Sequence, residues 1–130
     1  PYNVANDATV AVITQGLRDL GLLDGEVAEL IETEAYREFY MHSSGHWLGM
    51  DVHDVGDYKI ENQWRVYEPG MVVTVEPGIY ISPDNTAVAE KWRGMAVRIE
   101  DDIAVTKTGH EDLTSGVPKT RGDIELLMAS

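Results

Sequence analysis

The hydrophobic pattern of this chain changes its period part-way along, and that change limits the fold more than any other feature. Val10, Ile13, Leu17 and Leu20 recur at helical spacing over about residues 8–20, with Asp7 placed to cap the helix and Gly21 to stop it. A second amphipathic stretch covers about residues 26–39, with Val27, Leu30 and Ile31 on one face. Later in the chain β-branched residues take over. Met71 to Val75 reads as a strand closed by Pro77-Gly78, residues 78–82 as further extended chain, and Ala96 to Thr106 as one strand or two divided around Asp101-Asp102. Ile124 to Met128 reads as a short closing helix. Two helices followed by strands indicate an α+β fold, not a doubly wound sheet.

Composition narrows the class. At 130 residues the chain is one domain or a piece of one. It has no cysteine, which excludes a disulfide framework, a thiolate metal site and a cysteine nucleophile. No apolar run approaches the roughly 18 residues that span a bilayer, so no membrane partner and a cytoplasmic setting are expected. Ten basic residues against 23 acidic ones give a net charge of −13, which disfavours a nucleic-acid partner because phosphate binding depends on Lys and Arg. Most of the excess reads as a solvated acidic surface.

Three of the four histidines, His42, His46 and His53, fall in one Gly- and Ser-containing stretch that reads as a loop or short irregular strands. Imidazole binds divalent metals and moves protons near neutral pH, and the three need not share one task. Two carboxylates stand in unusual settings. Glu76 ends the apolar run MVVTVE, where Val72, Thr74 and Glu76 share one strand face. It either faces water before the turn or, if sheltered, requires a cation or several donors. Glu100 follows Arg98 by two residues, either as a structural Arg–Glu ladder or as a ligand with Arg98 orienting it. Asp101 and Asp102 read as turn or surface residues, and isolated His110 has no assigned role. No G-x-S-x-G elbow, P-loop or G-x-G-x-x-G occurs.

The segments HSSGHWLGMDVHDVG, EPGMVVTVEPGIYI and RGMAVRIEDDIAVT, followed by LTSGVPK, together resemble the C-terminal part of the catalytic domain in the Xaa-Pro aminopeptidase (aminopeptidase P) family. That family has the pita-bread metallopeptidase fold shared with creatinase, prolidase and methionine aminopeptidase. The resemblance covers essentially everything from Leu17 onward. It implies the C-terminal half of a pita-bread fold and a site with two divalent metals, commonly manganese, that activate a water. By the same resemblance His46, Glu76 and Glu100 are metal ligands, Glu76 also serving as the proton-transferring base. His42 and His53 contact substrate and stabilise the tetrahedral intermediate, while Arg98 and Tyr58 occupy second-layer or substrate-pocket positions.

One departure matters. The family has two aspartate ligands upstream of its histidine, and here Asp7 and Asp19 stand too near the first helix, or inside it, to serve. Residues 1–130 are therefore expected to be part of a longer metallopeptidase catalytic domain, with three of five ligands and little activity in isolation. The expected function of the parent is release of the N-terminal residue from peptides with proline second. A prolidase acting on Xaa-Pro dipeptides, a non-catalytic binding module and a metal-free creatinase-like hydrolase are the alternatives; retention of His46, Glu76 and Glu100 argues against the last two. A half-domain exposes an apolar sheet edge, so homo-oligomer formation is expected.

Overall fold

The computed structural model describes residues 1–129 and has the expected α+β order. Helix α1 spans Asn3–Asp19 and α2 spans Val27–Glu32, followed by a 3-10 turn at Ala35–Glu38. Strands β1 (Lys59–Ile60), β2 (Gln63–Trp64), β3 (Val72–Val75), β4 (Gly78–Tyr80), β5 (Ala96–Arg98), β6 (Asp101–Val105) and β7 (His110–Asp112) come next, and α3 (Arg121–Met128) follows. Every strand pair is antiparallel: β1 with β2, β4 with β5, and β3–β6–β7 in a three-stranded sheet. Among the described residues no helix is long and apolar enough to cross a membrane.

Helix α1 buries Val10, Ile13, Thr14 and Leu17, the stripe of a helix packed on one side. Val10, Ile13 and Leu17 meet Tyr36, Phe39 and Tyr40 from the 3-10 segment and the chain after it, together with Ile81 and Val88. Leu20 lies at the helix end and is exposed, so the stripe is one residue shorter than its spacing implied. The helix also starts earlier than expected. Asp7 is inside it, not at its cap, and accepts a 2.7 Å hydrogen bond from Asn3 Nδ2 one turn before. Gly21 does stop it: with φ +70° it donates to Arg18 O at 2.9 Å while Leu22 N–H donates to Leu17 O at 2.9 Å, the paired bonds of a Schellman cap. The second amphipathic stretch is broken, because Glu34 adopts a left-handed φ of 54° between α2 and the 3-10 turn.

The strands differ from expectation in instructive places. The divide within 96–106 falls at Ile99-Glu100, ahead of the Asp pair. Asp101 and Asp102 are therefore half-buried strand residues, and they are not in a turn. Asp101 is held there by Lys119 and by the Thr114 hydroxyl at 2.8 Å, so its carboxylate is partnered and does not need the surface. Strand β3 is buried on both faces, with Val73 and Thr74 each 3% exposed. Its second edge is bonded by the histidine loop. Thr74 N–H donates to His46 O at 3.0 Å, Leu48 N–H to Val72 O at 3.0 Å and Glu76 N–H to Ser44 O at 2.7 Å, with a bridge between Trp47 and Val73. Residues 44–48 thus act as an additional antiparallel edge beside β3.

Candidate metal centre

Two ladders on either side of β3 bring the three expected ligands together. On one side, the loop bonds just described set His46 opposite Thr74. On the other, Val75 pairs with Asp101, and the same register resumes beyond Pro77, where Ile99 N–H donates to Pro77 O at 3.1 Å and Gly78 pairs with Arg98. Carrying that register across the gap sets Glu76 opposite Glu100. Pro77 has no N–H to donate, which fits an interruption at this point.

The side chains converge accordingly. One potential ligand atom from each of His46, Glu76 and Glu100 lies within 4.8 Å of the other two. His46 Nε2 is 3.2 Å from Glu76 Oε1, and both side chains are largely sheltered. Glu76 therefore does not face water, which settles that alternative. Arg98 bridges the carboxylates, with Nε 3.7 Å from Glu76 Oε2 and a terminal nitrogen 3.7 Å from Glu100 Oε2. Arg98 thus forms the expected pair with Glu100 and reaches Glu76 as well.

The donor set fits a divalent cation. His46 Nδ1 lies 2.9 Å from Trp47 O, which can only accept, so Nδ1 carries a proton and donates. In the neutral ring this leaves the Nε2 lone pair aimed at a carboxylate oxygen 3.2 Å away. Two electron-rich atoms at that distance are stabilised by a cation between them. One imidazole nitrogen with two carboxylates suits borderline to hard divalent ions. The Trp47 carbonyl is the outer partner that fixes ring orientation in such sites.

Sequence reasoning missed the residue that supports this geometry. Thr74, 3% exposed, accepts a hydrogen bond from His46 N–H at 3.0 Å and donates from the same hydroxyl to Glu76 Oε1 at 3.1 Å. Its place on the Glu76 face of the strand was the available signal.

His46, Glu76 and Arg98 line a cavity of 690 Å³ together with His42, His53, Tyr58 and Tyr2. The His53 ring packs edge-on against His46 with centroids 4.2 Å apart. His42 uses both nitrogens: Nδ1 donates to Ser43 O at 2.7 Å, so Nε2 accepts from the Tyr80 hydroxyl at 2.9 Å. Tyr58 accepts from Trp47 N–H at 3.4 Å and its ring stacks on Trp47. Tyr2, just before α1, reaches across to donate to Gly45 O at 2.8 Å. Burial pushes the Tyr2 phenol well above its ordinary range, with Tyr58 and Tyr67 adding to the effect. Burial likewise pushes Tyr40 up to about 12, and the Glu76 charge adds to it. His110 lies in β7, exposed and outside this cavity.

Residues 2–107 match Metallopeptidase family M24. The chain is 57% identical over 124 residues to the Xaa-Pro aminopeptidase of Haemophilus influenzae, covering 95% of this chain and 28% of the relative. Among solved structures, an aminopeptidase of Pseudomonas aeruginosa is 68% identical with a TM-score of 0.95, covering 98% of this chain and 29% of that one. Zinc-substituted Escherichia coli aminopeptidase P in complex with product is 53% identical with a TM-score of 0.86, over 92% of this chain and 27% of that one. The chain thus spans a little over a quarter of the length of these relatives. Both its fold and its sequence place it with them: the chain belongs to Metallopeptidase family M24.

Proposed function

We propose that the protein carrying this chain is a metal-dependent aminopeptidase that releases the N-terminal residue from peptides with proline at the second position. The observation that carries the reading is the approach of one potential ligand atom from each of His46, Glu76 and Glu100 to within 4.8 Å of the others, beside a cavity that His46 and Glu76 line. Similarity to enzymes named Xaa-Pro aminopeptidase supports the substrate class. In this reading residues 1–130 are a part of the metallopeptidase catalytic domain, and ligands from outside them complete a pair of metals.

His46, Glu76 and Glu100 would hold the metal, with manganese favoured by the two carboxylates. Such ions polarise a carbonyl and lower the pKa of water. Glu76 moves the proton, since its Oε1 is kept in place by Thr74 while Oε2 faces Arg98. His53 is exposed and free to hydrogen-bond the attacked carbonyl or its developing negative charge. His42 must exchange its bond to Ser43 or Tyr80 before it can donate there. Tyr58 and Arg98 shape the substrate pocket, and Arg98 keeps the two glutamates mutually oriented.

A cytoplasmic setting and homo-oligomer formation belong to the same proposal. The latter is supported by exposed Val97 in β5 and exposed Met95 and Ile99 on either side of it. A monomer at high concentration in sedimentation runs would remove it. The function is tested by incubating the protein, in its natural sequence context and loaded with manganese, with Ala-Pro-Ala and with the dipeptide Ala-Pro. Release of alanine from the tripeptide is expected. Cleavage of the dipeptide alone would make it a prolidase, and cleavage of neither would end the peptidase reading.

A further inference from the structure

Two cationic side chains line the cavity, Arg98 and Lys59, and they are placed differently. Arg98 is engaged with Glu76 and Glu100. Among the described residues Lys59 makes no ion pair and no hydrogen bond; its Nζ rests 4.2 Å from the centroid of the Trp64 ring.

That contact crosses a fixed hairpin. Lys59 and Trp64 are register partners in β1–β2, and the turn between them has positive φ at both Glu61 and Asn62, as in a type I′ turn. The hairpin ladder continues to Tyr58, whose carbonyl accepts from Arg65 N–H at 3.0 Å, and it is anchored beside the site by Tyr2 N–H, which donates to Arg65 O at 2.8 Å. The Tyr2 ring stacks against Trp64 at 6.3 Å. An aromatic face favours a cation over it, so the ammonium is held at the cavity instead of sweeping through solvent. In a chain with 23 acidic residues, a lysine held at a cavity with no carboxylate partner is available to an anion on the ligand.

We propose that Lys59 makes this site select peptides bearing a carboxylate on the C-terminal side of the scissile bond. The inference rests on the peptidase reading above, because an enzyme that releases the first residue leaves all further residues on that side. The carboxylate can be the free C-terminus of a short peptide or an acidic side chain. The net charge of these 130 residues, −13, works against anionic substrates, so a preference for them must come from local placement.

The test compares kcat/KM for Ala-Pro-Ala, its C-terminal amide and Ala-Pro-Glu amide, using the metal-loaded protein in its natural sequence context. The free acid should be preferred to its amide by about two- to fivefold, the range of a solvent-accessible ion pair. Equal preference for Ala-Pro-Glu amide would identify any nearby carboxylate as sufficient; loss of preference there would identify the C-terminus, and either supports the proposal. Lys59→Gln should bring the acid-to-amide ratio to about one, while Lys59→Arg should retain it. In the unaltered protein the ratio should also fall as salt rises, which keeps the test sound if a variant folds poorly. Cleavage of all three peptides at one rate overturns the selectivity and leaves the peptidase reading standing. Cleavage of none overturns both.

Discussion

The Thr74 hydroxyl donates to Glu76 Oε1 at 3.1 Å while accepting from the His46 backbone N–H at 3.0 Å, so one buried side chain joins two candidate metal ligands from distant parts of the chain. Replacing it with valine keeps the shape and removes both bonds. Thr74→Val is expected to weaken metal binding about 10- to 100-fold, as loss of an outer partner does. It also leaves the His46 N–H without its bond, at a cost of about 1–3 kcal/mol in stability. Thr74→Ser should restore most of the affinity. Calorimetric titration with manganese or zinc reads this directly, and unchanged affinity in the valine variant would remove Thr74 from the site's support.

Gly45 lies against β3 so closely that an added Cβ would sit 1.9 Å from Thr74 O. That obstacle is backbone, which cannot swing aside as a flexible side chain can. Gly45→Ala should therefore push the histidine loop off β3, costing about 3 kcal/mol and loosening His46. Urea denaturation measures the first effect. Amide exchange at Thr74 and Glu76, whose N–H groups donate to this loop, measures the second. Protection equal to the unaltered protein would show that the loop tolerates the methyl group.

These two residues also show what could and could not be read before the structure. The α1 stripe and the Gly21 stop were legible because helical periodicity and glycine's left-handed freedom are local properties. Strand alternation likewise put Thr74 on the Glu76 face. The loop at 44–48 was not legible as a sheet edge, since its glycine and serine content masks a ladder formed with β3 almost thirty residues away. The β1–β2 hairpin lacks the usual glycine, and Asn62 supplies the second left-handed position in its place. Strand β7 hides behind a turn-like Thr-Gly-His-Glu sequence. The ligand trio came from resemblance to a family; spacing alone left Glu76 and Glu100 each with a non-functional reading, and only cross-strand register joined them.

If His46 is a ligand, adding metal should stabilise the folded protein by mass action. At a free concentration one hundred times the dissociation constant the gain is about 2.7 kcal/mol, visible as a rise in Tm that a chelator reverses. His46→Ala should sharply reduce the rise, because it removes the one imidazole donor of the three and leaves only Glu76 and Glu100. Glu100→Gln should reduce it. An equal metal-induced shift in the His46 variant would place the metal elsewhere.

Lys119 ties the segment after β7 to β6, donating to Asp101 and, at 3.1 Å, to Asp112. Its hydrogen bond to Asp101 holds the lysine above its usual range, aided by Asp112 and opposed by desolvation. For Asp112, desolvation raises the carboxyl, but hydrogen bonds from Lys119 and Thr114 outweigh it and the net shift is downward. The two shifts act at opposite ends of the pH scale. A depressed carboxyl contributes stability above its unfolded value of about 3.9, and that contribution is lost as pH falls through the lower folded value. A raised lysine contributes fully below about 10.4 and loses its contribution as pH rises through the higher folded value. Unfolding curves for the unaltered protein and Lys119→Met should therefore differ most between about pH 5 and pH 10 and converge outside that window. A difference that stays constant from pH 2 to pH 12 would assign the effect of Lys119 to packing of its aliphatic stem instead of its charge.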